Sequence, residues 1–197
     1  MGSLSSVGSI KWSALPQLQK LDFSTGISEA GNVAITNTGL TNLNGISLKT
    51  VGDFDITENT NLKSVNVNNL TNATGLINFA GNTGNMNQLE IELPNLLSGT
   101  NMTFRNVSSV SVPSLANLSG QMGFWGDSFE SFSAPNLTDT GDLVFNGNSQ
   151  LSNLSMPALQ NVNGGFQITR NDKLSSISFP KLEEISGAID FSGSFDE

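Results

Sequence analysis

Alternation of apolar and polar residues, repeated at a near-constant interval, dominates this chain. One set of apolar pairs, two residues apart, reads Val33/Ile35, Phe54/Ile56, Ile77/Phe79, Met102/Phe104, Met122/Phe124, Leu143/Phe145, Phe166/Ile168 and Ile189/Phe191, successive pairs lying 20 to 25 residues apart. A second set reads Val65/Val67, Ile91/Leu93, Val110/Val112, Phe132/Ala134, Leu154/Met156 and Ile177/Phe179. Period two is strand periodicity, and no window shows the 3.6-residue spacing of a helix. Five of the six prolines directly follow the second set, at Pro94, Pro113, Pro135, Pro157 and Pro180, where a residue without an N–H ends a strand. Glycine precedes most members of the first set (Gly31, Gly52, Gly75, Gly120, Gly141, Gly165, Gly187), and a corner with positive φ is the expected reason.

A single coil of about 22 residues cannot bury its own apolar face; stacked coils can, each strand pairing with its equivalents above and below. The pattern predicts an all-β fold: a right-handed β-solenoid, or β-helix, of about eight stacked coils. Residues 1–12 are expected to be an appended start or an N-terminal cap. Residues 13–197 are expected to be one repeat domain that stops inside a coil. "MGSLSSVGS" formally matches a myristoylation pattern at Gly2 and Ser6 but has no apolar core of a signal peptide. Targeting signals are expected to lie outside this stretch.

Stacking places like residues over like. Asn37, Asn59, Asn82, Asn106, Asn148 and Asn171 fall two or three residues after the first set of pairs. They are expected to form an asparagine ladder that satisfies turn backbone from coil to coil.

Composition narrows the chemistry. The chain has 17 acidic and 8 basic residues, a net charge of −9, which disfavours nucleic acid as a partner. No run of eighteen apolar residues is present, so the chain itself is not expected to insert into a membrane. Histidine, cysteine and tyrosine are absent. That removes the usual neutral-pH base, thiol catalysis and zinc–thiolate sites, and no metal or cofactor is called for. Asn-x-Ser/Thr occurs at Asn69, Asn72, Asn101, Asn106, Asn117, Asn136 and Asn153, which points to a glycosylated protein of the secretory pathway. The sequon at Asn106 is expected to stay bare, tucked into the ladder.

"VGDFDITENTNL", from Val51 to Leu62, matches the leucine-rich-repeat pattern without a helical convex side. The coils, of the form PxLxxVxGxhxhxxN with h apolar, resemble the receptor L-domain fold. With the sequons they look most like the fungal GPI-anchored cell-wall-organisation glycoproteins, over residues 13–197. That resemblance implies a surface protein needed for wall integrity, with a signal peptide, a Ser/Thr-rich stalk and a GPI signal elsewhere in the full-length protein. It carries over no catalytic residue.

The candidate surfaces lie on outward strand positions. The proline-side strands present a hydroxyl-rich face from Ser64/Asn66 to Ser176/Ser178, which reads either as a glycan-binding strip or as a solvated face. Trp125 stands out beside Arg105 and Asn146, positioned to stack on a sugar or to anchor a partner. Carboxylates at Asp55, Glu58, Glu90, Glu92, Asp127 and Glu130 show no partner that would make a glycosidase pair, Glu90/Glu92 being the best placed. The coil after Gly81 carries extra residues in "NTGNMNQLE", a candidate binding loop. The leading function is thus a non-enzymatic cell-wall glycoprotein that contacts wall polysaccharide or a surface protein. The alternative is a polysaccharide-binding or polysaccharide-cleaving solenoid, and a bacterial adhesin is a weaker third.

Overall fold

The computed structural model describes residues 3–82 and 89–193. It is a stack of parallel strands, all-β among the described residues. The first apolar set forms the main column: Ile27–Thr38, Phe54–Thr57, Leu76–Ala80, Asn101–Arg105, Met122–Trp125, Leu143–Asn146, Phe166–Thr169 and Ile189–Ser192. Each strand pairs in parallel with the next, and like sits on like: Phe54 on Ile77, Phe104 on Phe124, Phe145 on Ile168. The ten-residue strand Ser6–Leu15 covers the N-terminal edge by pairing with Ile27–Thr38.

A third strand per coil escapes the sequence pattern. Asn72–Ala73, Ser98–Gly99, Asn117–Leu118, Asp139–Thr140, Asn161–Val162 and Glu184–Ile185 stack at a corner, joined to the main column through Ile46–Val51 and Ile27–Thr38 into one 16-stranded sheet. Two residues are too few to show an alternation, so nothing in the spacing announces them.

The proline-side strands form two separate three-stranded sheets. Ser64–Asn66, Glu90–Glu92 and Ser109–Ser111 make one; Ser131–Ser133, Asn153–Ser155 and Ser176–Ser178 make the other. The break falls between Ser109–Ser111 and Ser131–Ser133, where the connections are shorter than in regular coils. Asn59 to Val65 and Asn148 to Leu154 each span six residue steps, Asp127 to Phe132 five, and Val107 to Val110 three. Phe129 fills the space that Leu62 and Leu151 occupy in regular coils, packing edge-on to Phe124 with centroids 5.6 Å apart.

A spine of rings runs through the core. Phe54, Phe79, Phe104, Phe124 and Phe145 follow one another at centroid separations of 5.8, 6.0, 5.2 and 4.8 Å, all fully buried. Such pairs add about 0.5–1.5 kcal/mol each beyond area burial. On the last described coil the equivalents are open: Ile189 is 59% and Phe191 46% exposed.

The corner glycines serve contact rather than conformation. None of Gly31, Gly52, Gly75, Gly120, Gly141 and Gly187 has positive φ. A Cβ at Gly141 would lie 2.7 Å from the Gly120 carbonyl oxygen, and one at Gly187 2.6 Å from that of Gly164. Coils at hydrogen-bonding distance leave no room for a methyl group there. The stacked residue in the seventh coil is Gly164, not Gly165. The left-handed positions lie at the other end of the main strands: Asn37, Glu58, Gly81, Asn106, Gly126, Gly147 and Arg170 have φ between 51° and 69°.

Candidate functional site

The residue after each left-handed position turns its side chain inward and forms a ladder. The Thr38 N–H donates to Asn59 Oδ1 at 3.0 Å, Asn59 N–H to Asn82 Oδ1 at 2.9 Å, Val107 N–H to Asp127 Oδ1 at 2.8 Å, Asp127 N–H to Asn148 Oδ1 at 2.9 Å, and Asn148 N–H to Asn171 Oδ1 at 3.0 Å. The amide nitrogens of Asn59, Asn82, Asn148 and Asn171 donate in turn to main-strand carbonyls of the preceding coil. Asn37 and Asn106 do not belong to it. They are exposed, occupy the left-handed position itself, and leave the rung to Thr38 and Val107. The reason for expecting a sheltered sequon at Asn106 goes with that correction.

Asp127 takes a rung held elsewhere by asparagine. It is 1% exposed, and its Oδ2 has no hydrogen-bond partner. Burial pushes its pKa up to about 7, against the downward pull of the Val107 and Trp125 backbone N–H groups and the Arg105 charge.

A second ladder, also unread in the sequence, runs along the corner. Asn32 Oδ1 accepts from the Asp53 N–H, Asp53 Oδ1 from Leu76, Asn101 Oδ1 from Gln121 and Asp142 Oδ1 from Gly165, at 2.7–2.9 Å.

On the outer face of the main column the structure brings Arg105, Trp125 and Asn146 side by side on successive strands. The Arg105 guanidinium carbon sits 4.3 Å from the Trp125 ring centroid. A Cβ at Gly123 would lie 2.0–2.9 Å from three atoms of that ring, so glycine makes room for the indole to fold back along its own strand. Trp125 is half-buried and Arg105 exposed. Among the described residues Arg105 forms no ion pair. The ring is therefore engaged by its own arginine rather than presented bare. Beside it, Val144 pairs in register with Gly123 and borders a surface hollow of about 260 Å³, lined also by Asp142, Gln167 and Asp190.

The carboxylates disperse. Glu90 and Glu92 are both exposed on one short strand, and Glu92 accepts from Asn66 Nδ2 at 2.7 Å. Asp55 accepts from Asn78 Nδ2 at 2.8 Å. Glu58 holds a left-handed turn position and Glu130 is exposed. The candidate binding loop after Gly81 falls largely on residues 83–88, outside the described residues.

The sequons spread over three columns. Asn69, Asn117, Asn136 and Asn153 are exposed, whereas Asn72 and Asn101 are half-buried. The side-chain oxygen of Asn72 accepts from Ser98 Oγ at 2.7 Å, and that of Asn101 from the Gln121 N–H. Asn69 Nδ2 reaches Ser47 Oγ and Asn136 Nδ2 reaches the Pro113 carbonyl, each at 2.7 Å.

Short coils of parallel strands, with a main strand ending in a left-handed residue and an inward asparagine, define a leucine-rich-repeat-type β-solenoid. The chain belongs to the BspA type leucine rich repeat family, which matches residues 2–104 and 79–194 in six copies. It is similar to protein ecm33 of Aspergillus fumigatus, 77% identical over 195 residues, 99% of this chain and 48% of that one. It is also similar to a cell surface GPI-anchored protein of Arthroderma benhamiae, 51% identical over 76% of this chain and 38% of that one. The cell wall protein ecm33 of Schizosaccharomyces pombe is 31% identical over 70% of the chain and 32% of its own length. The chain thus spans from about a third to about half of the length of these curated relatives. No solved structure matches it.

Proposed function

We propose that this chain is the folded shaft of a secreted fungal cell-wall glycoprotein. In the full-length protein it is held at the surface by a GPI anchor, and it contributes to wall organisation without catalysis. The observation that carries this reading is the similarity over 99% of the chain to a protein named for the ecm33 family, joined by relatives named as cell wall and GPI-anchored surface proteins. The geometry supports it. Core, ladders and corner glycines are consumed in stacking coils, and the carboxylates are dispersed rather than paired.

Function then rests on what breaks the repeat. Arg105, Trp125 and Asn146 form the contact surface for wall polysaccharide or a surface protein, with the hollow at Asp142, Gln167 and Asp190 beside it. Asn69, Asn117, Asn136 and Asn153 carry N-glycans most readily, being exposed, and Asn72 and Asn101 less so.

The test incubates the recombinant chain with insoluble β-glucan, chitin and mannan, and separately measures released reducing sugar. Retention on one polymer, lost in Trp125→Ala, with no sugar release, is the expected outcome. Sugar release abolished by Glu90→Gln or Glu92→Gln would overturn the non-catalytic reading. Retention unchanged in Trp125→Ala would remove the contact surface from that patch.

A further inference from the structure

Asp127 breaks a rule that the asparagine rungs obey. In each asparagine rung the second side-chain atom is a donor aimed at backbone oxygen. Asn59 Nδ2 donates to the Ile35 and Thr57 carbonyls at 2.8 and 2.9 Å, and Asn171 Nδ2 to those of Phe145 and Thr169 at 2.9 and 3.1 Å. By coil position, the corresponding carbonyls for Asp127 are those of Phe104 and Trp125. Oδ2 of Asp127 stands where that donor belongs, buried and without a partner. A neutral carboxylic acid supplies the missing O–H. A carboxylate there leaves its second oxygen buried with no donor.

We propose that Asp127 is an ionisable rung: as a neutral acid it stands in for asparagine and locks the middle coil, and on ionising it loosens that coil and the Arg105–Trp125 surface the coil carries. Several features place the hinge there. The proline-side strand of this coil, Ser131–Ser133, pairs on one side only, because the sheet breaks between it and Ser109–Ser111. Asp127 follows Trp125 by two residues, across the left-handed Gly126. The preceding rung is Val107, which offers an N–H but no side-chain acceptor, so the Asp127 carboxyl is the one side-chain acceptor of the inner ladder between those two coils.

The charged surroundings do not compensate an ionised Asp127. From the preceding strand Arg105 is the one charged group that acts on it, and its guanidinium is turned outward onto the Trp125 ring. The following coil faces it with Asn148, which is uncharged. Glu130, on its own coil, is exposed and of like charge. The balance favours the neutral form up to about neutral pH. The surface beside Trp125 is thus firm in acid and loose in alkali, whatever it binds.

The test is a titration of the unmodified chain with ¹³C-labelled aspartate, followed by carboxyl NMR. One aspartate carboxyl is expected to titrate near pH 7, and its signal is expected to vanish in Asp127→Asn. In parallel, the thermal midpoint of the unmodified chain is expected to fall by several degrees from pH 5 to pH 8. Asp127→Asn should not share that fall. If every aspartate carboxyl titrates below pH 5, or the two chains show parallel pH profiles, the proposal is overturned. Should Asp127→Asn fail to fold, the carboxyl titration of the unmodified chain decides alone.

Discussion

Removing a single rung tests whether the ladder holds the coils. Asn59 accepts from the Thr38 N–H at 3.0 Å and the Thr38 hydroxyl at 2.6 Å, and it donates to two carbonyls. Asn59→Ala strands both Thr38 donors in a buried site, Thr38 being 4% exposed. Each stranded donor costs about 1–3 kcal/mol, and the two carbonyls, which keep their strand bonds, add little. The expected loss is about 3–5 kcal/mol, which for a chain of this size lowers the thermal midpoint by roughly 10 °C. Circular dichroism at 215 nm during heating reads it. Asn37→Gly is the control: that side chain is exposed and its φ is 51°, which glycine adopts freely. The control should leave the midpoint within about 2 °C. Equal losses in both variants, or no loss in Asn59→Ala, would refute the assignment of the rung to the residue after the left-handed one.

Other perturbations follow from the same packing. Phe124→Ala empties a site where four rings meet, with centroids at 4.5 to 5.6 Å. It should cost about 3–5 kcal/mol in denaturant unfolding, against less than about 1 kcal/mol for Phe191→Ala on the exposed last coil. Gly141→Ala drives a Cβ into the Gly120 backbone at 2.7–2.9 Å. Its cost should be about 1–3 kcal/mol, measured the same way. For Asp127 the folded pKa of about 7 exceeds the ordinary 3.8. The folded state therefore holds its proton more tightly. That stabilisation is complete below pH 4 and is lost as pH rises through 7. It amounts to about 4 kcal/mol. Asp127→Asn should therefore be more stable than the unmodified chain above pH 8 and lose its advantage in acid. On protein secreted by a fungal host, glycopeptide mass spectrometry should find higher occupancy at Asn117 and Asn153 than at Asn72 and Asn101.

Much of the shaft was legible because burial enforces alternation. Val33/Ile35 through Ile189/Phe191 and the prolines after the second set mark two of the three strand columns directly. The ladder was legible only as a composition, because two adjacent positions favour asparagine for different reasons. The first, at Asn37 and Asn106, must adopt positive φ, where asparagine and glycine are tolerated. The second, at Asn59 and Asn148, must both accept from and donate to the backbone of the preceding coil. Residue type alone does not separate them. Glycine likewise serves two purposes here, a left-handed turn at Gly126 and close stacking at Gly141, and the sequence pattern does not say which. Asp127 was hidden more completely. Its neighbours Gly126 and Ser128 read as a solvated bend, and its burial comes from coils twenty residues away on either side. Of the surface, Trp125 could be singled out, but its contact with Arg105 and the space made by Gly123 are matters of strand register.

Amide hydrogen exchange tests the stacked-rung architecture most directly. The N–H groups of Thr38, Asn59, Val107, Asp127 and Asn148 each donate to a side-chain oxygen on the next coil rather than to backbone. They should exchange as slowly as the main-column strands, at the rate set by global opening. Exchange of these five amides within minutes, while the strand amides stay protected, would contradict it.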